Sequence, residues 1–185
     1  MIKKIILFLL ILNYNYVLSQ ETLMYRIQDS TKSESDWYLG KSTDGHFLVE
    51  LPIPFNDFTV KAGNFYTYVI GSESIEKIKF SVSEMKNKKL LHRVNLDKII
   101  NDLEDSNSSI SNISKYKNKA YKSVYCEIKN QEYGSFMKYV YYKKRIYTLI
   151  IEYPLSQEEV IIKYKDYFFN SFKIKNKKTK KYELH

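Results

Sequence analysis

A single cysteine, Cys126, stands in the whole chain, so no internal disulfide can form and the fold must hold by packing alone. Glycine is scarce as well. The five glycines (Gly40, Gly45, Gly63, Gly71 and Gly134) never fall as Gly-x-Gly, which excludes the phosphate-cradling loops. A Gly-x-Ser-x-Gly nucleophile elbow is absent too. The three histidines, His46, His92 and His185, lie far apart, and none has a second ligand two to four residues away. A zinc site needs clustered donors, so no metal and no cofactor is expected. Arginine is limited to Arg26, Arg93 and Arg145. Since arginine reads phosphate and base edges bidentately, the net charge of +9, carried by lysine, does not point to nucleic acid. The longest apolar run, Ile5 to Leu12, falls well short of the roughly 20 residues a membrane-spanning helix takes.

That short run is nevertheless informative. Lys3 and Lys4 precede it, Asn13 to Tyr16 interrupt it, and short side chains stand at Val17 and Ser19. A basic stretch, a short apolar core and a small-residue cut site form a secretory signal peptide, here residues 1–19 with cleavage after Ser19. Export places the rest in the periplasm or the extracellular medium. The remainder is the size of one ordinary domain. Its 44% hydrophobic and 16% aromatic residues suit a packed core. The chain divides into a polar leader over 20–35, with one short element around Leu23 to Ile27, a single domain over 36–175 and a basic tail over 176–185.

Within the domain, period-two alternation predicts strands. Trp37–Lys41 and Phe47–Leu51 flank the Asp44-Gly45 turn, and Pro52 and Pro54 end the second. Further strands are expected over Asn64–Ile70, Lys77–Ser83, Ala120–Ile128, Ser135–Tyr142 and Arg145–Tyr153, the last two joined by Lys143-Lys144. Helical spacing of Leu96, Ile99, Ile100 and Leu103 predicts one amphipathic helix. A second opens at Ser156, with Glu159 closing a capping box and Val160, Tyr164, Tyr167 and Phe168 as its apolar stripe. Residues 105–119 read as a polar loop, and Phe172–Ile174 as a short closing strand. The expected fold is α+β: a mostly antiparallel sheet of about six or seven strands covered by two helices.

The phrase Asp44-Gly45-His46-Phe47-Leu48-Val49-Glu50-Leu51-Pro52 and the aromatic close Tyr167-Phe168-Phe169-Asn170-Ser171-Phe172 resemble the PsbP-like family of exported α/β/α sandwich domains. The resemblance covers roughly residues 36–175. It implies a fold, export and a role as an accessory or binding module. The family offers no catalytic set to carry onto this chain.

Cys126 shares its strand face with Val124 and Ile128 and reads as a buried core thiol. His46 beside Asp44 could be drawn as an acid–base pair, but it reads as an exposed turn residue. The adjacent carboxylates Glu104-Asp105 and Glu158-Glu159 sit at helix ends as solvated or capping charges. A glycosidase pair would instead face across a cleft. Tyrosine is in excess, with 18 residues. Tyr139 and Tyr141 share one strand parity, and Tyr147 and Tyr153 share another. As an exposed ladder these four would bind glycan, peptide or protein; as half-buried strand residues they need no function, because β-propensity favours tyrosine anyway.

In the tail, Lys177, Lys178, Lys180 and Lys181 either contact anionic lipid or polymer or form a solubilising end. The sequence therefore points to an exported, non-catalytic accessory or binding module of the cell envelope, with an envelope protein or polymer as partner. The rival readings are an exported hydrolase or transferase and a carrier of small apolar ligands.

Overall fold

A computed structural model describes residues 24–27, 37–62, 65–86, 101, 109–117, 119, 121–176 and 182–184. The expected signal segment, the leader apart from 24–27, His92, His185 and the four tail lysines lie outside the described residues, and of the amphipathic helix expected around Leu96–Leu103 only Asn101 is described, in helical conformation. Among the described residues no helix is long and apolar enough to cross a membrane.

Among the described residues, twelve strands form two antiparallel sheets, beside one helix described over its length. The strands are β1 (Met24–Ile27), β2 (Tyr38–Lys41), β3 (Phe47–Leu51), β4 (Asn56–Ala62), β5 (Phe65–Glu73), β6 (Lys79–Lys86), β7 (Ser109–Lys117), β8 (Lys122–Lys129), β9 (Tyr133–Tyr142), β10 (Arg145–Pro154), β11 (Lys173–Lys175) and β12 (Tyr182–Leu184). The large sheet runs β1-β4-β5-β6-β10-β9-β8-β7, and the small one β12-β11-β3-β2. This is far more sheet than six or seven strands under two helices. The unexpected strands are β4, β7 and β12. In β4 the inward-facing Asp57 is buried and breaks the apolar alternation. At the edge of the sheet, β7 is mostly exposed, with only Ile110 and Ile113 packed on the rest of the sheet among its described residues.

The helix α1 (Glu158–Ser171) packs against β3 of the small sheet and against β9 and β10 of the large one. The predicted capping box does not form. Pro154 ends β10, Leu155–Gln157 make a 3-10 turn, and α1 starts without a side-chain cap bond. Glu158 and Glu159 in the first turn favour the positive end of the helix dipole instead. The apolar stripe is also displaced: Ile161, Phe168 and Phe169 are buried, whereas Val160, Tyr164 and Tyr167 are exposed. Trp37 accounts for the two tyrosines. Its ring lies 5.8 Å from that of Tyr164 and 4.5 Å from that of Tyr167. The Tyr167 hydroxyl also donates to Glu50 at 2.6 Å.

The main core lies between the large sheet and the layer formed by α1 and the small sheet. Phe47, Phe168 and Phe172 from that layer meet Phe80, Tyr147, Leu149 and Ile151. Each such fully buried side chain contributes about 1.5–3 kcal/mol of transfer free energy, and these take the place of the missing disulfides. A second cluster occupies the opposite face of β8–β10, with Val124, Cys126, Met137, Tyr139, Ile146 and Ile150. Cys126 is buried there, and desolvation pushes its thiol up to about 11, so it stays protonated and inert at neutral pH.

Candidate functional site

The two faces of the large sheet separate the four sequence-predicted tyrosines. In register, Val140 faces Tyr147 and Gly134 faces Tyr153 on the α1 side, while Tyr139 and Tyr141 point to the other side. Tyr139, Tyr147 and Tyr153 are 3%, 0% and 0% exposed, and Tyr141 is half-buried against the second cluster. They form no exposed ladder, because both faces of β9 and β10 lie in apolar clusters. Burial holds the three fully enclosed hydroxyls well above the ordinary tyrosine range.

Asp44 accepts from the Thr59 hydroxyl at 3.2 Å, and His46 turns to Glu84. Glu84 is fully buried on β6; it accepts the His46 N–H at 2.6 Å and has the Arg145 Nε at 3.3 Å. His46 Nδ1 stands 3.3 Å from the same carboxylate. With Asp57 accepting the Thr43 N–H at 2.9 Å, this network fastens the β2–β3 loop to the large sheet.

An open concavity lies elsewhere, where α1 passes over the end strands of the large sheet. A cleft of about 540 Å³ is walled by α1 and β7 and floored by β8 and β9. Its aromatic lining comes from Tyr116, Tyr121, Tyr125 and Phe169. The Tyr116 and Tyr121 rings stack at 5.4 Å, tilted by 35°, and Tyr125 meets Phe169 edge-on at 5.7 Å.

Helical spacing places Lys165 one turn before Phe169, on the same side of α1. Its ammonium lies 5.6 Å from the Tyr125 ring centroid and 5.0 Å from that of Phe136, and 3.6 Å from Glu127. Glu127 is held from three directions. Tyr125 donates to it at 2.7 Å and the Asn112 amide at 2.6 Å, with Lys165 as counter-ion. Burial alone would raise its pKa, but these hydrogen bonds and the lysine charge outweigh burial and hold the carboxyl below its usual range. A bulge in β7 between Ser111 and Ser114 aims the Asn112 amide, with Asn112 at φ 51°. That left-handed backbone is one asparagine tolerates better than most residues.

Lys138 lies on the floor, on the α1 side of β9, paired across the ladders with Tyr125 and Leu149. Desolvation lowers its pKa, and among the described residues no acid pairs with it. The sequence reading missed this cleft. One signal was present: along β9 the residues of core parity are Phe136, Lys138, Val140 and Tyr142, and the lysine interrupts an apolar row. The contribution of α1 and of the bulged β7 had no such signal.

Among the described residues no group of three or more His, Cys, Asp or Glu is close enough to hold a metal ion. Neither a family model nor a curated protein matches the chain. Among solved structures it is similar to LpqN, a protein involved in cell envelope biogenesis of Mycobacterium tuberculosis. The sequences are 10% identical, with 83% of this chain and 84% of that one covered and a TM-score of 0.37. So slight an overlap transfers neither a topology nor a role.

Proposed function

We propose that the chain is an exported, non-catalytic binding module of the cell envelope that holds a small ring-bearing ligand in the cleft between α1 and β7–β9. The carrying observation is the aromatic lining by Tyr116, Tyr121, Tyr125 and Phe169 around an open, lysine-bearing floor. Tyrosine rings give a sugar or aromatic ring a large contact area at low entropic cost. The carboxylate beside the cleft, Glu127, is ionised and engaged by three partners, which makes it a fixed charge rather than a proton shuttle. Lysines on floor and wall favour a polar ligand over the small apolar cargo of a carrier. Export rests on the pattern across residues 1–19, and the accessory role is what the PsbP-like resemblance implies.

Saturation-transfer NMR of the exported protein with hexoses, hexuronates and phosphorylated hexoses tests this reading. Ring protons of at least one class receive saturation from the native protein, and the transfer weakens in Tyr116→Ala and Tyr121→Ala. Absence of transfer to every ring ligand in the panel overturns it.

A further inference from the structure

We propose that Lys138 makes the floor of this cleft an oxyanion receptor, so that the ligand is a ring bearing a phosphate, sulfate or carboxylate group. The inference rests on the cleft being a ligand site and names the chemistry it selects. Three lysines, Lys115, Lys138 and Lys165, line the cleft against a single acid, Asp166. Lys165 is already committed: it pairs with Glu127 at 3.6 Å and lies over Tyr125 and Phe136. Lys115 stands on the exposed edge strand, where water screens it.

Lys138 differs from both. It springs from a central position of β9, is flanked in register by Tyr125 and Leu149, and is half-buried on the cleft floor. An ammonium placed there costs stability, since burial penalises charge and among the described residues no acid pairs with it. A ligand oxyanion supplies the missing counter-charge. Ser123, which faces Val140 one step along the same floor, adds a hydroxyl donor to the same space. The tyrosine pair Tyr116–Tyr121 at the rim then takes the ring to which the anionic group is attached. Phosphate, sulfate and carboxylate share this recognition chemistry, and the arms of the test separate them.

Amide chemical-shift titrations of the whole chain decide it, with glucose, glucuronate, glucose 6-phosphate, glucose 6-sulfate and inorganic phosphate as probes. An anionic ring binds at least about tenfold more tightly than glucose, a difference of about 1.4 kcal/mol. Lys138→Met removes that preference, whereas Lys115→Met retains it. Equal affinity for neutral and anionic rings in the native protein overturns the inference and leaves the binding module standing, as does a preference that survives in both Lys138→Met and Lys138→Gln. If no ring binds but inorganic phosphate shifts the β8–β9 amides and Lys138→Met abolishes the shift, the oxyanion receptor stands and the ring-binding reading fails. Silence from every probe overturns both.

Discussion

Tyr153 folds its fully buried ring over Gly134, the residue paired with it across the β9–β10 ladder. A Cβ at position 134 would stand 2.5 Å from the ring carbon Cζ and 2.6 Å from the hydroxyl oxygen. Tyr153 cannot retreat, because it packs on Phe136 at a centroid distance of 4.9 Å inside the main core. The scarce glycine is therefore a packing requirement rather than a turn signal. Gly134→Ala is expected to destabilise the domain by about 1–3 kcal/mol, the usual cost of overpacking. Urea unfolding measures it, and an unchanged midpoint would sink the claim.

The Glu84–Arg145 pair makes a different kind of prediction. Both side chains are buried, so removing the arginine takes the guanidinium away from a buried carboxylate. Arg145→Met is expected to cost about 3–5 kcal/mol. Adding Glu84→Gln neutralises the stranded carboxylate while its amide oxygen still accepts the His46 N–H. The double variant should therefore be more stable than Arg145→Met alone, and a double-mutant cycle reads the coupling directly. Purely additive losses would show that the two groups do not act as a pair.

The parts of this fold that follow the period-two rule were readable in the sequence. Phe47, Val49 and Leu51 are all buried as their alternation predicts, and β9 and β10 start and stop within two residues of expectation. Strands that break the rule were not readable. Asp57 faces inward and accepts the Thr43 N–H, and β7 is a mostly exposed edge laddered to β8. The cleft was hidden for the same reason. Its walls come from α1 and β7, far apart in sequence, and only tertiary packing brings Phe169 to Tyr125. Lys138 alone announced itself, as a charge on a buried row.

Glu127 links the cleft to pH. Its folded pKa lies below the ordinary value, so its contribution to stability is fully present above the unfolded carboxylate pKa of about 4.3. The contribution disappears as pH falls below that value and through the lower folded pKa. Urea midpoints measured from pH 7 to pH 3 should fall less steeply in Glu127→Gln than in the native protein. Parallel curves would show that the carboxylate contributes nothing in this window.

At the β9–β10 turn, Lys143 and Lys144 both hold positive φ, 45° and 62°. That is the geometry of a two-residue hairpin turn that Asn-Gly fits best. Left-handed backbone costs a residue with a Cβ roughly 1–2 kcal/mol, less whatever extra unfolded-state freedom glycine brings. Lys144→Gly is therefore expected to raise stability by about 1 kcal/mol. The Lys143 ammonium sits 4.6 Å from the Tyr142 ring centroid, so the same change at 143 sacrifices a cation–π contact and should gain less. Thermal melts of the two single variants give the order, and a destabilised Lys144→Gly would contradict the turn assignment.

Lys138 separates stability from binding. A lysine whose folded pKa is lowered prefers to be neutral when folded, so at neutral pH its charge opposes folding. The sign is opposite to that of Glu127: the penalty is fully present at pH values below the folded pKa and is relieved as pH rises through it toward the unfolded value. Methionine keeps the stem and discards the charge. Lys138→Met is thus expected to melt higher than the native protein in the absence of ligand, each 1 kcal/mol gained appearing as about 2–4 °C in Tm. Adding the anionic ring ligand should reverse the order, because only the native protein gains binding free energy from the charge. A lower melting temperature for Lys138→Met without ligand would mean that the ammonium already has a stabilising role within the fold, and that its position on the floor of the cleft serves packing rather than recognition.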